Sequence, residues 1–127
     1  MLRDLMDGDD LVLDNNLRGC PISSNDGARV ISGLLDQVST GPELWGTYHY
    51  GSSDSATYYE FAEAILAAAS QFSEFSPTAV KRRPPREGER SLTRVLECGK
   101  IRNTFAIKQV PWRNTIAGLV KQYYAQH

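Results

Sequence analysis

The 127-residue sequence lacks several features that would assign it to a class directly. No apolar run is long enough to span a membrane, so no membrane partner is expected. The acidic first ten residues have no apolar core, which argues against a signal peptide. Cys20 and Cys98 lie far apart and form no C-x-x-C pair, which indicates two reduced thiols in a cytoplasmic protein. Two cysteines and two histidines (His49 and His127) give little basis for a zinc cage, and no metal site is expected.

Catalytic motifs are also missing. The chain has no G-x-G-x-x-G or G-x-x-G-x-x-G dinucleotide loop, no G-x-x-x-x-G-K-S/T loop and no G-x-S-x-G elbow. None of the tyrosines between positions 48 and 59 begins a Y-x-x-x-K pair. His49 lies inside a predicted strand, where a packed or strand-face role is favoured over that of a base. The sequence therefore offers no self-contained active site and no catalytic residue.

Charge is nearly balanced overall but is separated along the chain. The net charge of −1 gives no bulk support for nucleic-acid binding. Residues 1–14 carry five aspartates and one arginine, whereas residues 81–94 carry six basic and two acidic residues. Two interpretations of the basic segment stay open: a solvated loop that pairs with the acidic end, or a phosphate-binding segment whose arginines bind a diphosphate bidentately. RNA binding is disfavoured because the segment has no aromatic residues for base stacking.

The stretch from Leu44 to Leu66 carries the clearest local pattern. Aromatic and β-branched residues predict a strand over Trp45–Tyr50, followed by a polar loop. Thr57 and Glu60 have the spacing of a capping box, so a helix is predicted to begin there. Steps of three and four residues predict the buried face of that helix: Tyr58, Phe61, Ala62, Ile65, Leu66 and Ala69.

The remaining pattern predicts alternating helices and strands. Helices are predicted at Leu2–Met6, from Ser23 to Val38, at Val95–Phe105 and after Pro111, and strands at Leu11–Leu13 and Thr78–Lys81. The apolar face of the last helix, which is predicted to face the core, consists of Trp112, Ile116, Leu119, Val120 and Tyr123. This order and length indicate one mixed α/β domain.

Three segments resemble the dTDP-4-dehydrorhamnose reductases, which are NAD(P)-dependent extended short-chain dehydrogenases acting on nucleotide sugars. LVLDNNLRGCPISSNDGARVI resembles their V-x-D-D-Q-x-G-x-P-T-x-x-x-D-L-A, with Asn16 where glutamine is usual. GTYHYGSSDSATYYEFAEAI resembles G-x-Y-H-x-x-G followed by S/T-x-Y-E-F-A-x-A-I. RVLECGKIRNTFAIKQVPWRNTI resembles S-x-L-D-x-S-K-I-x-x-x-F-G-I and P-x-W-R, with Ala106 replacing the glycine. The family's R-P-x-N-S motif is eroded: Arg90 keeps its arginine, and the pair Arg83-Pro84 lies earlier.

The resemblance implies an α/β fold that is the C-terminal portion of an extended short-chain dehydrogenase, with few short strands, about four helices and no Rossmann half. Residues 1–127 would form a single substrate-binding domain of a nucleotide-sugar reductase, as an isolated domain, a proteolytic fragment or a truncated protein. It would not be catalytic alone, and NAD(P)H would bind the parent enzyme rather than this chain. The alternative is a non-enzymatic binding or interaction module that kept the fold and lost the chemistry.

The resemblance also implies site residues and partners. Arg90 would bind the diphosphate of a dTDP- or UDP-linked sugar, with Arg83 as substitute, and Asn15, Asn16 and Pro21 would line the sugar or nucleotide side. Turn formation remains an equal interpretation of these last three residues. The sugar, the nucleotide and the choice between NADH and NADPH stay open.

The resemblance also implies a partner for one of the predicted β-strands. Thr47–Tyr50 would add to the parallel sheet of the missing Rossmann half. In the isolated chain this strand would be a bare edge, so self-association through it is expected.

Overall fold

The computed structural model describes residues 1–41, 43–76 and 78–126. Its helices are α1 (Leu2–Met6), α2 (Ser24–Thr40), α3 (Tyr58–Ala69), α4 (Gly99–Phe105) and α5 (Arg113–Gln126). Its strands are β1 (Leu11–Leu13), β2 (Leu17–Gly19), β3 (Ala56–Thr57), β4 (Val80–Arg82) and β5 (Leu92–Arg94). The predicted mixed α/β class with few short strands is therefore confirmed.

Two small sheets lie side by side. In the first, β1 pairs with β4 in parallel, and in the second the order is β3-β2-β5, with β2 antiparallel to β3 and parallel to β5. Arg83 N–H donates to the carbonyl of Leu13 (2.8 Å), and Leu92 N–H donates to the carbonyl of Asn16 (2.7 Å). The connection from β1 to β2 thus runs beside the longer loop from β4 to β5.

Two of the three long helices, α2 and α3, begin where the capping pattern predicts. Ser23 Oγ accepts from the N–H of Asp26 at the start of α2 (3.1 Å). Thr57 Oγ1 accepts from the N–H of Glu60 at the start of α3 (3.1 Å). Each hydroxyl satisfies one backbone donor that the helix leaves unpaired, so local sequence decides both boundaries.

The core consists of three apolar clusters. One lies between α2 and α4, and its buried members are Val30, Cys98, Ile101, Phe105 and Ile107. A second joins α3 to α5 and contains Ala56, Ala69, Trp112, Ile116 and Val120. The third packs α1, α3 and β4 together through Leu5, Ala62, Ala79 and Val80. Because α3 supplies side chains to two of the three clusters, it is the central element of the fold.

The strand predicted at Trp45–Tyr50 is not formed. These residues belong to neither sheet of the described chain. Tyr48 and Tyr50 instead pack against the cluster between α2 and α4, and their hydroxyls donate to the Leu44 carbonyl (2.7 Å) and to Asp26 Oδ2 (2.6 Å). A strand needs a hydrogen-bonded neighbour, and β propensity cannot supply one.

Helix α4 is shorter than predicted. Val95 and Leu96 are half exposed and non-helical, and the helix starts at Gly99, whose N–H donates to the Glu97 carboxylate (2.5 Å). The inner face that the sequence predicts for this helix, Cys98, Ile101 and Phe105, is nevertheless confirmed, because all three are buried in the first cluster. At its other end Ala106 adopts a left-handed conformation (φ 56°), which an L-residue adopts with strain.

Two other predicted faces are partly wrong. Tyr58 is 54% exposed although it shares a helix face with Ala62, Ile65 and Ala69, and it stands at the first position of α3. Leu119 is also exposed, whereas Ile116 and Val120 are buried as predicted. Strands β2, β3 and β5 have no counterpart among the predictions, since two or three residues are too few to show a periodicity.

Candidate functional site

A cavity of about 320 Å³ lies where the two sheet connections meet. The turn between β1 and β2 forms one wall, and the loop between β4 and β5 forms the other. Four of the five residues predicted as ligand contacts line it: Asn15, Asn16, Arg83 and Arg90. Asn15 and Asn16 precede Arg83 and Arg90 by 67 or more positions, and the parallel pairings of β1 with β4 and of β2 with β5 bring them to one place.

Arg83 is the most enclosed cation of the cavity. Its side chain is 20% exposed, its Nε donates to the Asp14 carboxylate and its NH2 group donates to the Glu89 carboxylate. These hydrogen bonds raise the pKa of Arg83, and the one from Arg83 lowers the pKa of Glu89. The guanidinium is therefore held in place, but its N–H groups already donate to two carboxylates, those of Asp14 and Glu89.

Arg90 differs from Arg83 both in its exposure and in its lack of a carboxylate partner among the described residues. It is exposed, and within residues 1–41, 43–76 and 78–126 it makes no hydrogen bond or ion pair. A guanidinium in this state can present its fork to an incoming anion without first losing a partner. Arg82 also lines the cavity, but its guanidinium packs over the Tyr59 ring, 5.1 Å from the centroid.

Asn15 is oriented by the start of α3. Its Oδ1 accepts a hydrogen bond from the hydroxyl of Thr57 (2.7 Å), and Thr57 is buried and caps the helix. The carbonyl of Asp14 accepts from Tyr59 N–H (3.2 Å), so the turn is tied to the same helix end. Because its oxygen is engaged, Asn15 can offer its amide N–H groups to a ligand oxygen in the cavity.

Pro21 lies elsewhere. It lines a second, mostly apolar cavity of about 390 Å³, together with Leu17, Phe61 and Tyr58. Arg18 at this cavity donates to Ser55 (3.1 Å) and pairs with the Glu60 carboxylate. The structure therefore separates Pro21 from the four residues that share the basic cavity.

The acidic and basic ends of the chain do meet. Lys81 Nζ lies 3.1 Å from Asp10 Oδ2, and Arg83 pairs with Asp14. The interpretation of the basic segment as a loop that pairs with the acidic end is thus confirmed for Lys81 and Arg83, and its phosphate-binding role stays a prediction. The sequence analysis missed Glu89 and Asp14 as parts of the site, although the opposite charges of the two segments indicated such pairs.

Three further sequence predictions concern metal binding, His49 and membrane insertion. No group of three or more histidine, cysteine or carboxylate side chains suited to a metal ion occurs in the described parts of the chain. His49 is exposed and lies in no strand of the described chain, so the packed or strand-face position predicted for it is wrong. Across the described residues no helix is both long and apolar enough to cross a membrane.

Among the described residues, the fold and the basic cavity define a mixed α/β domain in which three arginines and two asparagines line one surface cavity. A family model described as the RmlD substrate binding domain matches residues 1–125, and the chain belongs to that family. The resemblance to the C-terminal part of the dTDP-4-dehydrorhamnose reductases is thereby confirmed. No curated protein matched the sequence.

Two solved structures support the fold assignment. A dTDP-4-dehydrorhamnose reductase from Clostridium acetobutylicum aligns over 98% of this chain and 44% of its own, with a TM-score of 0.71 and 20% identity. The dTDP-4-dehydrorhamnose reductase from Bacillus anthracis, solved in complex with NADP, aligns over 99% and 41%, with a TM-score of 0.70 and 20% identity. At this identity the likeness shows the fold alone. The chain spans less than half the length of both structures.

Proposed function

We propose that residues 1–127 form a single substrate-binding domain of an NAD(P)H-dependent nucleotide-sugar reductase and bind the diphosphate of a dTDP- or UDP-linked sugar. The observation that carries the proposal is the meeting of Asn15, Asn16, Arg83 and Arg90 in one cavity of a chain that belongs to the RmlD substrate-binding family. Membership of the family supports a nucleotide-sugar ligand, and the cavity offers groups that would hold its diphosphate.

Each residue has a distinct role in this proposal. Arg90 binds the diphosphate through its free guanidinium, which matches two phosphate oxygens. Arg83 supplies a second positive charge deeper in the cavity. Asn15 donates its amide N–H groups to a hydroxyl or carbonyl oxygen of the sugar or base, since Thr57 fixes its orientation. Pro21 and its separate cavity take no part in diphosphate binding.

The chemistry of reduction lies outside this chain. The sequence has no dinucleotide loop and no Y-x-x-x-K pair, so its residues do not fit a nicotinamide cofactor. We propose that a Rossmann half supplies NAD(P)H, which transfers a hydride to the keto-sugar. The domain then binds and orients the substrate, and it is not catalytic alone. The free thiols of Cys20 and Cys98 agree with a cytoplasmic protein.

A thermal-shift titration of the chain with dTDP, UDP and NADPH in parallel tests this function. A ligand that binds only the folded state stabilises it by about 2.7 kcal/mol at a hundredfold excess over Kd. We expect stabilisation by dTDP or UDP but none by NADPH. Arg90→Ala should abolish the shift, whereas Arg86→Ala should preserve it, because Arg86 is exposed on the same loop outside the cavity lining.

A second candidate is a binding or interaction module that has lost the nucleotide-sugar site. The pairing of Arg83 with two carboxylates favours it, since that cation is less available to phosphate. Under this alternative neither nucleotide shifts the melting temperature, with or without an added Rossmann half. Stabilisation that depends on Arg90 would exclude it.

A further inference from the structure

The loop between β4 and β5 folds one of its own carboxylates into the basic cavity. Glu89 Oε1 accepts from Arg83 NH2, and Glu89 Oε2 accepts from Arg86 N–H (3.4 Å). The Glu89 side chain is only 17% exposed, although the loop around it is at the surface. A glutamate held this way places negative charge on a guanidinium where a phosphate would bind.

The backbone gives Glu89 this position. Glu89 N–H donates to the carbonyl of Arg86 (3.0 Å), closing a four-residue turn, and Gly88 within it has a φ of 75°, which favours glycine. The turn directs Glu89 inward and leaves its neighbour Glu87 exposed. Two carboxylates of one short loop therefore stand in contrasting environments.

Of the two carboxylates on Arg83, Glu89 is the one a ligand would meet. Glu89 lines the cavity, whereas Asp14 binds Nε from outside the lining. Asp14 also belongs to a turn whose backbone is tied to α3 and to β4. Glu89 is held by side-chain hydrogen bonds and one tight turn, so it can leave without disturbing a sheet or a helix.

We propose that Glu89 is an internal competitor that occupies Arg83 in the free protein and is displaced when a diphosphate binds. The inference rests on the proposed function and adds a basis for selectivity. Displacement requires an anion that offers Arg83 more negative charge than one carboxylate does. A diphosphate meets this condition, whereas a nucleoside without phosphate does not. Glu89 therefore sets a threshold of ligand charge at this site.

Calorimetric titration of the full chain with inorganic diphosphate tests the inference. Glu89→Gln keeps the size of the side chain and an oxygen that accepts from Arg86 N–H, but it removes the competing charge. We expect this variant to bind diphosphate about tenfold more tightly than wild type. The reason is that diphosphate no longer has to break the charge-assisted hydrogen bond between Arg83 and the Glu89 carboxylate. Glu87→Gln removes the same charge from the same loop, and its affinity should rise much less.

Two results of this titration would overturn the inference alone. Equal affinities for the Glu89→Gln and Glu87→Gln variants would show that only loop charge matters. Weaker binding by Glu89→Gln would show that Glu89 holds Arg83 in place for the ligand instead of competing with it. In both cases measurable binding leaves the proposed function standing, whereas absence of binding by wild type and both variants contradicts the function and the inference together.

Hydrogen exchange gives an independent readout. If diphosphate displaces the Glu89 side chain, the amide of Arg86 loses an acceptor and should exchange faster in the wild-type complex than in the free protein. A glutamate with a merely structural role would keep this amide equally protected or protect it further. Slower exchange on binding would therefore count against displacement.

Discussion

Thr57 shows how a single side chain couples the fold to the cavity. Its hydroxyl accepts the N–H of Glu60 at the start of α3 and donates to Asn15 Oδ1 in the cavity wall. The residue is 4% exposed, so neither bond can be replaced freely by water. The capping of α3 and the orientation of Asn15 thus depend on the same oxygen atom.

Removing that oxygen should affect both stability and binding. We expect Thr57→Ala to lower the free energy of unfolding by about 1–2 kcal/mol, the usual cost of losing an N-cap hydroxyl. It should also weaken nucleotide binding, because Asn15 loses its orientation. Urea denaturation and the nucleotide titration measure the two effects.

The serine variant is the control for Thr57. Thr57→Ser keeps the hydroxyl and should retain most of the stability and the affinity. If Thr57→Ala and Thr57→Ser were equally destabilised, the lost methyl group and not the cap would be responsible. Unchanged binding by Thr57→Ala would contradict the role given to Asn15.

At the scale of elements, α3 approaches its neighbours closely because it presents alanines to them. Ala62 and Ala69 are fully buried, one in the cluster with α1 and β4 and the other in the cluster with α5. Phe61 completes the contact with α5 by packing on Trp112, with ring centroids 5.2 Å apart. Small residues at these positions let α3 serve two interfaces at once.

A larger side chain at Ala69 should disrupt the contact between α3 and α5. We expect Ala69→Leu to destabilise the chain by about 1–3 kcal/mol, because the well-packed cluster has no room for three more carbons. Ala67→Leu is the matched control, since Ala67 is exposed on the same helix and should change stability little. Chemical denaturation of both variants compares them; equal effects would mean that helix propensity, not packing, decides the result.

The whole molecule leaves apolar surface uncovered. Ile31 and Leu35 are 59% and 64% exposed and lie one turn apart on α2, and Trp45 is 78% exposed. Residues 45–50 lie in neither sheet of the described chain. This surface is where we propose that the Rossmann half packs, because the related structures contain more than half of their length beyond the part aligned here.

The strand edge through which self-association was predicted is not formed, but the exposed apolar face of α2 should still make the isolated chain self-associate. We expect light scattering to show a mass above that of the 14.1 kDa monomer at high concentration and a return towards the monomer in Leu35→Lys, which places a charge on the apolar face. Leu119→Lys, on α5, serves as a control and should leave association unchanged. A strictly monomeric wild type at high concentration would contradict this prediction.

The sequence by itself determined the parts that depend on local chemistry. The caps at Ser23 and Thr57, the inner face of α4 and the fold class follow from spacing and residue type within one helical turn or a few motifs. The candidate residues Asn15, Asn16, Arg83 and Arg90 could also be named from the sequence, because a resemblance aligned them with a family pattern.

Only the tertiary structure decided which of these residues meet and what charge they carry together. The parallel pairings bring the two sheet connections side by side, and they place Pro21 in another cavity. The pairing of β1 with β4 brings Asp14 to Arg83, the turn at residues 86–89 brings Glu89 to it, and Arg90 is left without a partner among the described residues. The segment 45–50 has strand propensity but lies in neither sheet of the described chain. Contacts between distant segments depend on chain topology, which local propensity does not encode.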